Sequence, residues 1–146
     1  MLVDSRAKKV KAVMQAISST DVGNFAEFEG VAARIEDFGN SHKGEFAVVT
    51  ARALSALPSL LELASPLLQT GGSFIALKSE IDADEEEWGV KLAPKLGFEL
   101  CSKRKVTLSD EATRRVIFAF TKVGKAKVKL PRRVGLAQKT PLIPDP

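Results

Sequence analysis

The first clear pattern of apolar and polar positions in the chain is helical. Between residues 6 and 17, apolar residues recur at spacings of three and four with lysines between them. This spacing places the apolar residues on one face and predicts an amphipathic helix, with Asp4 or Ser5 as its N-terminal cap. Leu2-Val3 is a short apolar stub before it, which we expect to be a strand.

The following segment contains a second kind of pattern, the continuous apolar run. Residues 25–28 predict a short strand that Gly30 breaks, and residues 31–38 predict a helical turn. Residues 46–53, with the sequence FAVVTARA, are continuously apolar and partly β-branched until their last residues. This composition is typical of a strand buried on both faces.

The second half of the chain alternates between helical and strand patterns. Residues 57–68 predict an apolar helix that Gly71-Gly72 stop, and residues 73–78 predict another buried strand. Residues 82–96 predict a helix whose acidic start places negative charge at the positive end of its dipole. Two consecutive strands are then expected at residues 98–108 and 114–123.

The order of these elements predicts the fold class. Strands and helices alternate through residue 97, which indicates an α/β fold with a parallel sheet covered by helices. The last two strands predict an antiparallel hairpin at one edge of that sheet. This order is more typical of a Rossmann-like methyltransferase than of a dinucleotide-binding dehydrogenase. We expect residues 1–123 to form this domain and the proline-rich residues 124–146 to form a basic arm that does not pack.

Length and composition exclude several classes of protein. The 146 residues are enough for one domain, and 45% hydrophobic with 27% charged residues is typical of a globular protein. No apolar run reaches the ~20 residues of a membrane span, and the N-terminus lacks the pattern of a signal peptide. One cysteine and one histidine leave no internal disulfide or zinc ribbon. We therefore expect a cytoplasmic protein without a structural metal.

Charge is distributed unevenly along the chain. Residues 1–102 contain 10 Lys/Arg and 15 Asp/Glu, whereas residues 103–146 contain 12 and 3. A clustered basic end predicts contact with a polyanion such as RNA, although lysines that only increase solubility are the alternative. In the arm, Arg132, Arg133 and Lys139 are the candidate phosphate ligands, since paired arginines offer planar donors. The alternative here is a disordered basic terminus.

Three polar residues follow predicted strands, where ligands of open α/β sheets bind. Asp4 ends the first strand, and its carboxylate is suited to accept hydrogen bonds from two ribose hydroxyls, or else it caps the next helix. Arg52 ends a strand expected to be buried and requires a partner (Glu36 or Glu80) or a cleft. Lys78 ends the next strand, and either lines the same rim or extends into solvent.

Taken together, these residues resemble the small-subunit ribosomal RNA guanine-N7 methyltransferases, also called glucose-inhibited division protein B. The matching segments cover essentially the whole chain: LVDSRAKKV, ARIEDF, FAVVTARALSALPSLLELASPLLQTGGSFIALKSE, RRVIFAFTKV and LPRRVGLAQKTPL. One small departure is Ser79, where the family usually has glycine.

The resemblance implies a class I fold and S-adenosylmethionine as cofactor. By its motifs, Asp4 would hold the ribose, Ile35 and Glu36 the adenine, and Arg52 and Lys78 the rim between donor and guanine. Arg132, Arg133 and Lys139 would hold phosphates of small-subunit rRNA. Guanine N7 has a lone pair and no proton at neutral pH, so its methylation would need positioning rather than a general base. Another methyltransferase substrate, or RNA binding without catalysis, is the alternative.

The large departure from the family is at the start of the chain. Class I enzymes hold the methionine half of the donor on a glycine-rich loop after strand one, and no G-x-G-x-x-G follows a strand in this sequence. We therefore expect the chain to correspond to the C-terminal portion of the enzyme, beginning at strand two, and to be inactive alone. Its sheet centre would then be exposed and open to self-association.

Overall fold

The computed structural model describes residues 1–52, 55–79, 81–107 and 114–144, which form an α/β architecture. Short 3-10 turns at Asp21–Asn24 and Ala93–Leu96 join some of its elements. In chain order the strands and helices are β1 (Leu2–Asp4), α1 (Ala7–Ser18), β2 (Gly30–Ala32), α2 (Ile35–Ser41), β3 (Phe46–Arg52), α3 (Leu57–Ala64), β4 (Leu68–Lys78), α4 (Ala83–Leu92), β5 (Phe98–Thr107), β6 (Arg114–Lys122) and α5 (Leu136–Lys139).

The strands form two separate sheets. β1 and β2 pair in parallel, and a second sheet has the order β3-β4-β6-β5. β3 and β4 are parallel, whereas β6 runs antiparallel to both β4 and β5. The predicted α/β class and the C-terminal antiparallel hairpin are thereby confirmed. The turn expected between the hairpin strands lies outside the described residues.

The main core lies between the larger sheet and the helices α3 and α4. Four phenylalanines, Phe74, Phe98, Phe118 and Phe120, are almost completely buried, with neighbouring ring centroids 6.1–6.3 Å apart. Aromatic rings at such distances add to the stabilisation that burial of their area provides. This core fixes the positions of the carboxyl ends of β3 and β4.

Helix α3 is buried on all sides because the C-terminal segment, residues 124–144, covers its outer face. The Ser59 hydroxyl donates to the carbonyl of Ala137 at 2.6 Å, and the Trp88 indole N–H donates to the carbonyl of Leu142 at 2.8 Å. The expectation that this segment does not pack is therefore wrong for its described part. Polar groups on the helices, among them the buried Ser59 hydroxyl, hold the segment in place.

A buried lysine lies beneath α3. The Lys122 ammonium donates to the Ser65 hydroxyl at 2.6 Å and to the Leu96 carbonyl at 2.7 Å, and lies 4.8 Å from the centre of the Phe98 ring. Burial lowers the pKa of Lys122 to about 8, because it penalises the charged form. The contacts of Lys122 therefore join the ends of β6, α3 and the 3-10 turn Ala93–Leu96.

The first forty residues differ most from the expectation. Residues 25–28 form no strand, and Phe25 is 85% exposed. Gly30 does not break a strand but begins β2. Helix α1 packs closely against Gly30, and a β-carbon there would lie 2.7 Å from the side chains of Val10 and Met14. The expected helical turn begins only at Ile35.

Several element ends also differ. β3 is mostly exposed rather than buried on both faces, because within the described chain it pairs only with β4. The predicted helix over 57–68 ends at Ala64, and Gly71-Gly72 lie inside β4 instead of stopping a helix. No side chain caps α1 at its N-cap residue, Arg6. None of the helices in the described ranges combines the length and apolarity that crossing a membrane requires.

Candidate functional site

A pocket of about 490 Å³ lies between the two sheets. Its walls are β1, the start of α2 and the edge strand β3, and apolar residues of α3 contribute to its lining. Asp4, Ile35, Glu36 and Arg52 all line it, so the structure brings together the four residues predicted to bind the cofactor. Their role in cofactor binding stays a prediction.

Asp4 is held as an anion at the end of β1. Its Oδ1 accepts a hydrogen bond from the Arg6 N–H at 2.8 Å, and its Oδ2 lies 3.4 Å from the Lys9 ammonium. The Arg6 hydrogen bond, and to a lesser extent Lys9, lowers the pKa of Asp4. A carboxylate has about four acceptor positions, so Asp4 keeps capacity for a ligand. The carboxylate thus orders the start of α1 and also faces the pocket.

Ile35 and Glu36 begin α2, just after β2, the strand that pairs with β1. Glu36 is 7% exposed, and its Oε1 accepts a hydrogen bond from the Gly135 N–H at 2.8 Å. The carboxylate therefore ties the pocket wall to the C-terminal segment. The main-chain N–H of Ile35 is in the first turn of α2, where it has no acceptor within the helix.

Arg52 and Lys78 differ in their surroundings. Arg52 is exposed and forms no ion pair with Glu36 or with any other carboxylate of the described chain; Glu80 lies outside it. The premise that Arg52 is buried is wrong, because β3 is an edge strand. Lys78 is 2.9 Å from Glu85 and 2.9 Å from the Ser55 carbonyl, away from the pocket lining.

The three basic residues of the C-terminal segment are not equivalent. Arg133 and Lys139 are exposed. Arg132 binds Glu62 through two parallel hydrogen bonds of 2.7 Å, and the Glu62 side chain is only 2% exposed. Arg132 also donates to the Thr140 carbonyl at 2.8 Å. Its guanidinium therefore anchors the segment to α3.

Glu62 is the residue of this region that sequence reasoning missed. The signal was present, because a carboxylate inside the apolar run LPSLLELA requires a buried partner. Its partner is 70 positions away, which no local pattern reports. Within the described residues, no three of the His, Cys, Asp and Glu side chains group as a metal site.

Comparison with solved structures shows the fold. The crystal structure of the antibiotic-resistance methyltransferase Kmr superimposes with a TM-score of 0.62 at 17% identity, covering 85% of this chain and 75% of that one. A SAM-dependent methyltransferase from Methanosarcina mazei gives 0.58 at 13% identity, covering 83% and 80%. The chain therefore has the fold of class I SAM-dependent methyltransferases.

Comparison with sequences shows the family. Relatives named ribosomal RNA small subunit methyltransferase G are 34% identical in Thermotoga sp. strain RQ2, 33% in Lysinibacillus sphaericus and 33% in Deinococcus radiodurans. These matches cover 98%, 97% and 96% of this chain but 61%, 59% and 55% of the relatives, so the chain spans about three-fifths of their length. The profile described as rRNA small subunit methyltransferase G matches residues 1–116. The chain belongs to the rRNA small subunit methyltransferase G family.

Proposed function

We propose that this chain is the adenosine-binding and RNA-binding portion of an S-adenosylmethionine-dependent methyltransferase. Its substrate is a guanine N7 in small-subunit ribosomal RNA, in the cytoplasm. The observation that carries the proposal is the pocket between the sheets, which Asp4 at the end of β1 and Ile35 just after β2 both line. Ligands of open α/β sheets bind in such a position.

The residues of the pocket fit the adenosine half of the donor. Asp4 is an anion with unused acceptor positions, which suits two vicinal ribose hydroxyls. Ile35 offers its main-chain N–H to a flat heterocycle, while Glu36 is occupied in part by Gly135. Glu36 thus supports the wall of the adenine site and leaves its second oxygen for a ligand.

The chemistry requires positioning more than proton transfer. S-Adenosylmethionine, when bound, supplies a methyl group on a positively charged sulfur. Guanine N7 attacks with a lone pair, so no residue of this chain has to remove a proton. Arg52, exposed at the rim, is placed to attract the RNA backbone or the electron-rich edge of guanine. Lys78 pairs with Glu85 and holds the end of β4 outside the pocket lining.

We further propose that residues 1–146 alone bind the donor weakly and do not methylate RNA. β1 and β3 each lack a second strand on the side that faces the pocket, among the described residues. No glycine-rich G-x-G-x-x-G loop occurs in the sequence to hold the methionine half. A further strand between β1 and β3 would complete one continuous sheet. Self-association of the chain through these edges is the alternative way to pair them.

RNA is held through phosphates by the C-terminal segment. Arg133 and Lys139 are exposed and available to phosphates, whereas Arg132 contributes by holding the segment against Glu62. Removing a basic residue that contacts phosphate weakens the binding of every RNA sequence alike.

Methyl transfer from labelled donor to undermethylated small subunits tests the proposal. We expect no transfer by the 146-residue chain and transfer by a version extended upstream through the family's glycine-rich loop. In the extended version, Asp4→Asn should raise the donor KM at least tenfold, because it removes a charged acceptor. Asp21→Asn, outside the pocket, is the matched control. Transfer to another substrate, or RNA binding without transfer by the extended version, would contradict the proposal.

A further inference from the structure

The hairpin of β5 and β6 carries a cluster of cations that the proposed function does not use. Arg104 and Lys105 lie on β5, and Arg114 and Arg115 lie on β6. Their pairing partners place all four within four consecutive rungs of the ladder. Since a strand rises about 3.3 Å per residue, the cluster is about 10 Å long. We call these four residues the hairpin cluster.

The register divides the hairpin cluster between the two faces of the sheet. Arg104 pairs with Ile117 and Val106 pairs with Arg115, so the two arginines are diagonal neighbours on one face. By the same reasoning, Lys105 and Arg114 are diagonal neighbours on the other face. Diagonal neighbours across an antiparallel pair are roughly 7–8 Å apart, which brings like charges close together. Each face therefore presents two cations.

No carboxylate neutralises the hairpin cluster within the described residues. The adjacent Lys103 shows the contrast, because it pairs with Glu86 of α4 and lies over the Phe118 ring. In the described part of the chain, the Arg115 guanidinium donates to the carbonyl of Arg114, at 3.0 Å. Charged side chains on an edge strand can simply prevent pairing with another sheet. Arg114 and Arg115 lie past Val116, the last residue of β6 that pairs with β4, so both strands project beyond β4 here and the assay below distinguishes edge protection from RNA binding.

The location of the hairpin cluster connects it to the candidate site. Arg52, Leu77, Ile117 and Arg104 form one continuous row of paired residues across the four strands. With neighbouring strands about 4.8 Å apart, Arg104 lies about 14 Å from Arg52 along this row. The end of the hairpin that carries the cluster therefore lies at the same end of the sheet at which the pocket opens.

From this arrangement we infer that the hairpin cluster is a second RNA-binding surface, which contacts the sugar-phosphate backbone beside the target base. The inference rests on the proposed function, because it takes RNA as the substrate. RNA that reaches the pocket passes the rim at Arg52, and the hairpin cluster lies further along the same edge. Arg104, Lys105 and Arg114 are exposed and Arg115 is half-buried, and none has an acidic partner among the described residues. Such cations exchange counterions for phosphates.

Fluorescence anisotropy with a labelled stem–loop of small-subunit rRNA tests the inference on the full chain. We expect Arg104→Gln/Arg115→Gln to weaken binding at least tenfold near 0.1 M salt, relative to the unaltered chain. The slope of log affinity against log salt should fall by about 1–2, since each lost phosphate contact contributes about 0.7–0.9. Lys105→Gln/Arg114→Gln tests the other face in the same way.

Matched controls separate the possible outcomes. Lys8→Gln/Lys11→Gln removes the same charge from the exposed side of α1, and we expect affinity within about twofold of the unaltered chain. An unchanged unfolding midpoint shows that the hairpin variants remain folded. If the hairpin variants bind like the control while Arg133→Gln/Lys139→Gln binds weakly, the inference is overturned and the proposed function stands. If the unaltered chain binds no RNA, both are overturned.

Discussion

Replacing Arg132 by glutamine should destabilise the protein far more than replacing its neighbour. Arg132 makes two hydrogen bonds of 2.7 Å to Glu62, whose side chain is 2% exposed. The variant leaves a buried carboxylate without its cation, and removing one partner of such a pair costs about 3–5 kcal/mol. Since the Arg132 side chain is itself 23% exposed, we expect about 3 kcal/mol, which lowers Tm by roughly 10 °C.

Arg133→Gln is the matched control, because Arg133 is exposed and adjacent in sequence. A surface substitution of this kind changes stability by at most about 0.5 kcal/mol. The assay is urea unfolding followed by the fluorescence of Trp88, the single tryptophan. Its indole donates to the carbonyl of Leu142, so its emission also reports whether the C-terminal segment stays docked.

A double variant distinguishes the ion pair from a general effect on the segment. Glu62→Gln/Arg132→Gln removes the buried charge together with its partner, so we expect a smaller loss than for Arg132→Gln alone. If Arg132→Gln proves as stable as Arg133→Gln, the anchoring role is refuted. A double variant less stable than Arg132→Gln would also contradict the reasoning.

Two further predictions concern stability. Lys122 has a folded pKa of about 8 against 10.5 in the unfolded chain, so the unfolded state binds more protons between these values. Stability should therefore rise as pH increases from about 8 to 10.5, by up to about 3 kcal/mol, and Lys122→Met should remove this slope in pH-dependent urea unfolding. Gly97→Ala should lower Tm more than Gly135→Ala. Both glycines have positive φ, but a β-carbon at Gly97 would lie 2.2 Å from the Gly124 carbonyl oxygen, whereas Gly135 has open space. Equal losses at the two glycines would contradict the packing argument.

Long periodic or continuous apolar segments made much of the fold predictable. The helix expected at 6–17 is observed as Ala7–Ser18, and the hairpin strands are observed at Phe98–Thr107 and Arg114–Lys122. The apolar positions of such a segment must be buried in almost any fold, so the segment's own sequence determines its secondary structure. The three-residue strand at Gly30 was missed because its stability comes from pairing with β1 and contact with α1, not from a period of its own.

The candidate site was predictable where a single polar residue at the end of an apolar strand indicates it. Asp4 and Arg52 follow strands, and the structure places both on one pocket. The packing of the C-terminal segment was not predictable, because its partners lie far away in sequence: Gly135 bonds Glu36 across 99 positions, and Arg132 bonds Glu62 across 70. Proline content alone indicated an extended chain, whereas the segment includes the short helix α5 and packs on α3.

Titration of the chain with S-adenosylhomocysteine, followed by backbone amide NMR, tests the central claim most directly. We expect changes in amide chemical shift concentrated at residues 4–6 and 33–36. Asp4→Asn should weaken the binding of S-adenosylhomocysteine about tenfold, and Asp21→Asn should leave it unchanged. Adenosine should produce the same pattern, because we propose that this pocket holds that half of the donor. Chemical-shift changes centred on other residues, or equal affinity in the two variants, would contradict the assignment of this pocket as the donor site.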